Sequence, residues 1–307
     1  MRTRFVSLLS PRSTLRLSAV PARLAGVALL VLASACTTVE EPPSAPAAPA
    51  PDPYGSLDAV LAAQSAEHQA RYAARNPRET LAFFDVRPGM VVAEALPGGG
   101  WYSRILAPYL GSNGALYGVN YQDSMWAAFG MPPERVAQRI ASTAEFPAKV
   151  AEFTDLGPRA LGFTFADVPT DVEGTVDRVL FIRALHNLHR FGELGVLDEA
   201  IAASHAMLKP DGLVGVVQHW GPESAPDEWA NGGAGYLKRS RVIEMFEAAG
   251  FVFAGESAVN ANPKDQPTTD DFVWRLPPSY AGGEETKAAV DAIGESNRMT
   301  LRFRKRG

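Results

Sequence analysis

Short apolar runs alternate with more polar segments along the chain from residue 57 onward. A continuous apolar run of about four to eight residues is typical of a strand that is buried on both faces. The valine-rich composition of several runs favours the same structure. The predicted strands are 90–96, 115–119, 161–166, 176–182, 213–218 and 251–259.

The segments between these runs carry apolar residues at the spacing of an amphipathic helix. The clearest is 193–208, whose leucine residues and Ile201 share one face, and 209–212 ends it. A second helix is predicted to start at 76–79, because this stretch combines a capping Asn76, a proline in the first turn and an acid three residues after the cap. Helices are also predicted at 58–75, 101–110 and 239–249, with one or two more within 132–165.

Strands that alternate with helices predict a parallel sheet covered by helices on both faces. We therefore expect the α/β fold class, with a doubly wound, mostly parallel, Rossmann-like sheet. The alternation accounts for residues 57–260 and leaves a C-terminal extension. We expect one folded domain at 57–307.

The first residues of the chain indicate an export signal. Residues 1–35 contain five arginines and no acid, and an apolar run at 24–32 is followed by small residues at 33–35. A basic region, a short apolar region and a small-residue cleavage site are typical of a signal peptide. The apolar run is too short to cross a hydrocarbon core of about 30 Å as a helix. Residues 36–56 are rich in proline and alanine, which favours an extended tether.

Cys36 is the only cysteine of the chain, so no intrachain disulfide is possible, and it follows the small residues directly. This arrangement resembles the lipobox of bacterial lipoproteins, although Ala33 stands where that motif usually carries leucine. The resemblance implies that Cys36 is lipidated and that the mature protein is a lipoprotein tethered to a membrane. With Thr37 next to the cysteine, it implies the cell envelope, on the periplasmic face of the outer membrane. The alternative is a plain secretory signal with an incidental cysteine.

The net charge of the chain indicates which kinds of partner it is able to bind. The chain has 29 basic and 34 acidic residues and a net charge of −5. Nucleic-acid binding depends on neutralising phosphates, so we expect no nucleic acid as partner. A small molecule or another unidentified substrate is the expected partner, beside the membrane.

A glycine-rich turn follows the first predicted strand, in the stretch Glu94-Ala95-Leu96-Pro97-Gly98-Gly99-Gly100. An acid at the strand end followed by glycines resembles the first motif of class I S-adenosylmethionine-dependent methyltransferases. The turn fits neither the G-x-G-x-x-G dinucleotide fingerprint nor the Walker A pattern. The alternative is a tight turn with a purely structural role.

The resemblance extends along the chain. Lys209-Pro210-Asp211-Gly212 and Glu247-Ala248-Ala249-Gly250-Phe251 resemble the segments that precede the fifth and sixth strands of these enzymes. More narrowly, the chain is similar to a group of predicted exported methyltransferases. The stretches that carry this similarity are 97–102, 186–189, 260–264 and 294–301.

The resemblance implies S-adenosyl-L-methionine as cofactor and assigns residues to it. Glu94 and Gly98, Gly99 and Gly100 would border its methionine part. Asn120 stands where an acid usually holds the ribose hydroxyls, and Leu96 stands where a glycine is usual. Asp167 is the candidate for the adenine side, and Asp155 competes with it.

Three of the five histidines follow the ends of two predicted strands: His186, His189 and His219. Because the carboxyl ends of parallel strands face the ligand crevice, we expect them to line the substrate side of the pocket as catalytic residues. One alternative is that these histidines have ordinary packing roles. Another is that the three imidazoles hold a zinc-like ion, but we do not assign them as metal ligands. His68 and His205 are expected to have no special role.

The leading hypothesis is therefore an exported, membrane-tethered methyltransferase, a transferase that uses S-adenosyl-L-methionine on an unknown substrate. The cofactor is a cytoplasmic metabolite, which leaves open a non-catalytic, ligand-binding lipoprotein that keeps the fold. A hydrolase is disfavoured because the sequence has no G-x-S-x-G elbow.

Overall fold

A computed structural model describes residues 55–155 and 157–306. The predicted signal peptide, Cys36 and most of the predicted tether lie outside these residues. Within them, seven strands form one sheet. The strands are β1 Val91–Ala95, β2 Ala115–Asn120, β3 Arg159–Thr164, β4 Val176–Ile182, β5 Leu208–His219, β6 Phe251–Ser257 and β7 Arg298–Lys305.

The strand order is β3-β2-β1-β4-β5-β7-β6. Strands β1 to β5 pair in parallel, and β7 is antiparallel to both β5 and β6. The chain moves outward from β1 in one direction and then returns to build the other half, so the order reverses between β1 and β4. Such a switch point opens a crevice at the carboxyl ends of the strands. The predicted fold class, a doubly wound and mostly parallel α/β sheet, is confirmed.

Helices cover both faces of this sheet. The helices are α1 Gly55–Ala62, α2 Ala66–Gln69, α3 Tyr72–Arg75, α4 Pro77–Phe83, α5 Ser103–Leu110, α6 Met125–Ala128, α7 Pro133–Ala144, α8 Phe146–Ala151, α9 Leu185–Arg190, α10 Val196–Met207, α11 Arg239–Ala248 and α12 Lys287–Ile293. Successive strand residues point to opposite faces, so Val92 and Leu116 enter one apolar core while Ala93 and Tyr117 enter the other. Strands β1, β2, β4 and β5 contribute apolar residues to both cores.

The C-terminal extension contributes a strand that the apolar pattern did not predict. In β7, Met299, Leu301 and Phe303 are buried and alternate with Thr300 and with arginines. This alternation differs from the continuous apolar runs of the parallel strands. In the sheet, β7 lies between β5 and β6. The extension therefore belongs to the sheet.

The N-terminal segment departs from the prediction. The single helix expected at 58–75 is broken into α1, α2 and α3. The following helix starts at Pro77 with Asn76 at its N-cap position, as predicted, but the Asn76 side chain forms no capping hydrogen bond. Asn76 has a left-handed φ of 41°, which asparagine tolerates, and its Nδ2 donates to the carbonyl of Val259 at 2.7 Å. Its side chain thus ties this segment to the loop after β6.

Two strand glycines allow α7 and α8 to lie directly on the sheet. A Cβ on Gly162 of β3 would lie 1.7 Å from the carbonyl oxygen of Thr143. A Cβ on Gly118 of β2 would lie 2.6 Å from the ring of Phe146. This close approach fixes the helices beside the carboxyl end of β2.

Among the described residues, no helix is both long and apolar enough to span a membrane.

Candidate functional site

The glycine turn lies at the carboxyl end of β1, beside the switch point. Gly98 and Gly100 have φ values of 54° and 77°, in the left-handed region that favours glycine. Leu96 also has a positive φ, of 53°. This residue stands where a glycine is usual, and it keeps the glycine-like conformation. Three residues of the turn thus have positive φ values.

Glu94, the acid at the end of β1, is only 4% exposed. Ser103 Oγ, in the first turn of α5, donates a hydrogen bond to Glu94 Oε2 at 2.5 Å. Burial raises the pKa of Glu94 to about 7, against the opposing effects of the Ser103 hydrogen bond and the Lys149 ammonium. The carboxyl is therefore poised between its two protonation states near neutral pH.

Two cavities meet at the turn, and Pro97 and Gly98 line both. The first, here called the α1–α3 cavity, has a volume of about 710 Å³. It lies between the N-terminal helices and the ends of β1 and β4, and Glu94, Leu96 and Arg183 line it. Its position coincides with the reversal of strand order.

The second cavity, here called the α7–α8 cavity, has a volume of about 360 Å³ and contains the end of β2. Asn120 lines it, and its Nδ2 donates to Thr143 Oγ1 at 3.0 Å. Lys149 of α8 also lines it, and its Nζ donates to the carbonyl of Gly98 at 3.0 Å. The structure thus brings Asn120 and Gly98 to one cavity, as the resemblance implies.

The two candidates for the adenine side lie elsewhere. Asp167 is exposed after β3, where its Oδ2 accepts a hydrogen bond from Thr164 Oγ1 at 3.4 Å. Asp155 is exposed as well. Neither residue lines the two cavities beside the turn. Their assignment stays a prediction.

His186 and His219 are both buried, His186 in α9 just after β4 and His219 at the end of β5. Their ring centroids are 5.3 Å apart. His186 Nδ1 lies 3.3 Å from Gln218 Oε1, and His219 Nδ1 lies 2.6 Å from Ser296 Oγ. Burial lowers the pKa of His186 to about 4 and holds that of His219 well below its ordinary value. Both rings are therefore neutral at physiological pH.

His189 occupies a different place. Its Nδ1 donates to the carbonyl of Asn231 at 2.7 Å, and it lines a cleft of about 480 Å³ beside the start of α11. Glu223, Asp227 and Arg241 share this cleft. The cleft is separate from the two cavities at the glycine turn.

The expectation that these three histidines line the pocket beside the turn is therefore not met. None of them is among the residues that line either cavity. Their catalytic role stays a prediction without support from their placement. Within residues 55–155 and 157–306, no group of three or more histidine, cysteine, aspartate or glutamate side chains is arranged to hold a metal ion.

Sequence reasoning missed four residues of the α1–α3 cavity: His68, Arg75, Trp101 and Arg183. The His68 ring stacks on Trp101 at 4.4 Å, and the Arg75 guanidinium lies 4.4 Å from the centroid of the same indole. Burial, followed by the charge of Arg104, lowers the pKa of His68 to about 4. Signals were present, because Trp101 directly follows the glycines and Arg183 directly follows a predicted strand.

The site fits S-adenosylmethionine in the chemistry of its residues. A Cβ on Gly98 would meet only the carbonyl oxygen of Leu96, at 3.8 Å, so the turn leaves room for a ligand against the backbone. The Asn120 amide suits a ribose hydroxyl, and the Glu94 carboxylate suits a cationic group. Trp101 Nε1 is buried without a hydrogen-bond partner among the described residues.

No protein-family model and no curated protein sequence matches the chain. Among solved structures it resembles a SAM-dependent methyltransferase from Aquifex aeolicus, at 16% identity and a TM-score of 0.45 over 66% of this chain and 93% of that one. It also resembles 1,6-didemethyltoxoflavin-N1-methyltransferase from Burkholderia thailandensis, with 1,6-didemethyltoxoflavin and S-adenosylhomocysteine bound, at 17% identity and a TM-score of 0.44 over 85% and 93%.

A third similar structure is the cyclase SpnF, at 15% identity and a TM-score of 0.47 over 76% of this chain and 80% of that one. Likenesses at this level carry no argument about substrate or reaction, because function resides in the site. The strand order of this chain gives it a doubly wound, mostly parallel α/β fold.

Proposed function

We propose that this protein binds S-adenosylmethionine at the glycine turn and transfers its methyl group to an acceptor. One observation carries the proposal. The turn lies at the switch point and lines two cavities, with Glu94 of β1 in one and Asn120 of the neighbouring β2 in the other. Class I methyltransferases, which the sequence resembles, use this place for their cofactor.

Each residue has a distinct task in this proposal. The backbone at Gly98 admits the cofactor to close contact, and the Asn120 amide holds the ribose hydroxyls. Ionised Glu94 attracts the positively charged end of the cofactor. When bound, S-adenosylmethionine supplies an electrophilic methyl group on a sulfonium. The chain then has mainly to position the acceptor in line with it.

Calorimetric titration with S-adenosylhomocysteine tests the proposal. The wild-type chain should bind, and Gly98→Val should lose binding at least tenfold, because the new side chain occupies the open space at a positive φ. Gly89→Val is the matched control. Gly89 also has a positive φ, of 78°, with nothing within 4 Å of a Cβ, but it precedes β1 at the opposite end of the strand. Equal losses in the two variants would mean that backbone strain alone is responsible.

A ligand-binding protein without turnover is the second candidate. Leu96 at the usual glycine position, an uncharged Asn120 and the absence of His186, His189 and His219 from the two cavities favour it. Binding of S-adenosylhomocysteine without transfer of a labelled methyl group to any component of a cell-envelope extract would select this candidate.

We further propose that the protein is exported and held by a lipid on Cys36, at the periplasmic face of the outer membrane. The sequence of the first 36 residues supports this. Fractionation of a Cys36→Ser variant should find it released from the membrane fraction. Retention equal to that of wild type would refute the lipid anchor.

A further inference from the structure

The α1–α3 cavity is rich in cationic side chains. Arg71, Arg75, Arg104 and Arg183 line it, against two acids, Glu67 and Glu94. Glu94 is partly protonated near neutral pH, since its pKa is raised to about 7 by burial. The lining therefore carries an excess of positive charge. Buried or partly buried charges are costly unless they are paired.

Part of this charge is balanced within the fold. Glu295, in the loop before β7, forms an ion pair with Arg71, and its Oε2 lies 3.6 Å from Arg75 Nε and 3.4 Å from Arg298 Nη1. The Glu295 carboxylate thus offsets part of the positive charge of three guanidinium groups. Arg298 also donates through Nη2 to the carbonyl of Ala74 at 2.5 Å.

Arg183 is influenced by the charge of Glu295 but forms no ion pair with it. It follows β4 directly, has a left-handed φ of 57° and lines the cavity. Among the described residues, its guanidinium forms no hydrogen bond and no ion pair. Non-glycine residues at positive φ are uncommon and concentrate at binding sites. The backbone at this position therefore directs an unpaired cation to the carboxyl end of the central strands.

Three buried nitrogen atoms without hydrogen-bond partners belong to residues that line the same cavity. The atoms are Arg75 Nε, His68 Nε2 and Trp101 Nε1. Arg75 is 4% exposed, so its Nε is withdrawn from water, and Glu295 is too far for a hydrogen bond to it. Nearly all buried polar groups in proteins are hydrogen-bonded, and exceptions call for an explanation. Two of these atoms, Arg75 Nε and Trp101 Nε1, are donors whose hydrogen bonds the fold leaves unmade beside this cavity.

We propose that Arg183 binds an oxyanion, a carboxylate or phosphate, in the α1–α3 cavity, beside the Arg75 guanidinium. A guanidinium presents two parallel N–H groups, which match the two oxygens of such a group. The oxyanion has two possible sources. It is either the amino-acid carboxylate of the cofactor or an acidic group on the methyl acceptor, and in both cases the inference deepens the proposed function.

Calorimetric titrations of the full-length protein distinguish these sources. The probes are S-adenosylhomocysteine, 5′-methylthioadenosine, which lacks the amino-acid part, benzoate and inorganic phosphate, at constant ionic strength. The variant is Arg183→Gln. Arg135→Gln is the matched control, because Arg135 is exposed on α7 and outside both cavities. Circular dichroism establishes folding, and Arg104→Gln, at an exposed position of the cavity lining, provides a second variant.

A loss of about tenfold or more in affinity is expected for a lost charged hydrogen bond. If Arg183→Gln weakens S-adenosylhomocysteine but not 5′-methylthioadenosine, the oxyanion is the cofactor's carboxylate. If it weakens benzoate or phosphate and leaves S-adenosylhomocysteine unchanged, the oxyanion belongs to the acceptor. Binding of benzoate or phosphate that depends on Arg183, with no binding of either nucleoside, would support the anion site and refute the proposed function. Equal affinities in Arg183→Gln, Arg135→Gln and wild type, or no binding of any probe by wild type, would overturn the inference.

Discussion

At the scale of single residues, Glu94 affects both the stability of the folded protein and the proposed binding of the cofactor. A carboxyl that is 4% exposed and hydrogen-bonded to Ser103 is costly to ionise, and its pKa is raised from 4.5 to about 7 by burial. The unfolded chain loses this proton near pH 4.5, whereas the folded protein keeps it until about pH 7. Folding stability therefore falls as the pH rises through this window.

Replacement of Glu94 by glutamine should remove this pH dependence. Glutamine still accepts the hydrogen bond from Ser103 and carries no charge, so Glu94→Gln should be more stable than wild type at pH 8. The shift of about 2.5 pKa units corresponds to at most about 3 kcal/mol. Near pH 4 the two proteins should differ little. Urea unfolding at both pH values measures the difference.

Glu79 provides the matched control for this change, because it is an exposed acid in the first turn of α4. Glu79→Gln should leave the stability difference between pH 4 and pH 8 as it is in wild type. A Glu94→Gln variant that is no more stable than wild type at pH 8 would show that this carboxyl ionises without penalty. The same variant should bind S-adenosylmethionine more weakly, since the carboxylate is lost.

Residue identity alone predicted some of the site and missed the rest. Glu94, Gly98 and Asn120 were identified because the glycine turn and the ends of β1 and β2 are local patterns. Arg75 and His68 are brought to the turn by the packing of α2 and α3, which no local pattern reveals. The histidines were misplaced because a position just after a strand does not fix the direction of a side chain. His219, for example, turns to Ser296, 77 residues away.

At the scale of elements, the close packing of α7 and α8 on β2 and β3 depends on small residues. Gly162→Ala should destabilise the protein by about 3 kcal/mol, because its Cβ would lie 1.7 Å from the backbone oxygen of Thr143 and a backbone atom cannot rotate away. Denaturant unfolding at a fixed pH measures the effect. The α7–α8 cavity should widen as the helix moves, so affinity for a nucleoside should change as well.

Gly192→Ala is the matched control for Gly162. Gly192 has no atom within 4 Å of an added Cβ and its φ lies outside the left-handed region. Its replacement should change the free energy of unfolding by well under 1 kcal/mol. If Gly162→Ala were equally harmless, the helices would not be held against the sheet as described.

Strands were predicted well where the chain has a short, continuous apolar run. The runs that became β1, β2, β3, β4 and β6 were placed within two residues of their observed bounds, whereas β5 begins at Leu208, five residues before its predicted start. The break of 58–75 into three short helices was missed, since each helix is held by tertiary contacts rather than by its own sequence. Strand β7 was missed because its arginines interrupt the apolar run.

At the scale of the whole molecule, the order of the strands determines where the crevice that contains the candidate site lies. The reversal between β1 and β4 sets the glycine turn and Arg183 on opposite sides of one crevice. Alternation of strands and helices predicts a doubly wound sheet but not its order, which depends on long-range pairing. The antiparallel β7 between β5 and β6 completes the order. It also places Glu295 and Arg298, at its start, beside the N-terminal helices.

The central claim is that the glycine turn holds the nucleoside of S-adenosylmethionine between the two cavities. A crystal structure of the protein grown with S-adenosylhomocysteine tests this most directly. The account predicts that the ribose hydroxyls lie within hydrogen-bond distance of the Asn120 side chain and that the thioether lies over Gly98. S-adenosylhomocysteine bound away from these residues, or crystals that contain none at saturating concentration, would contradict the account.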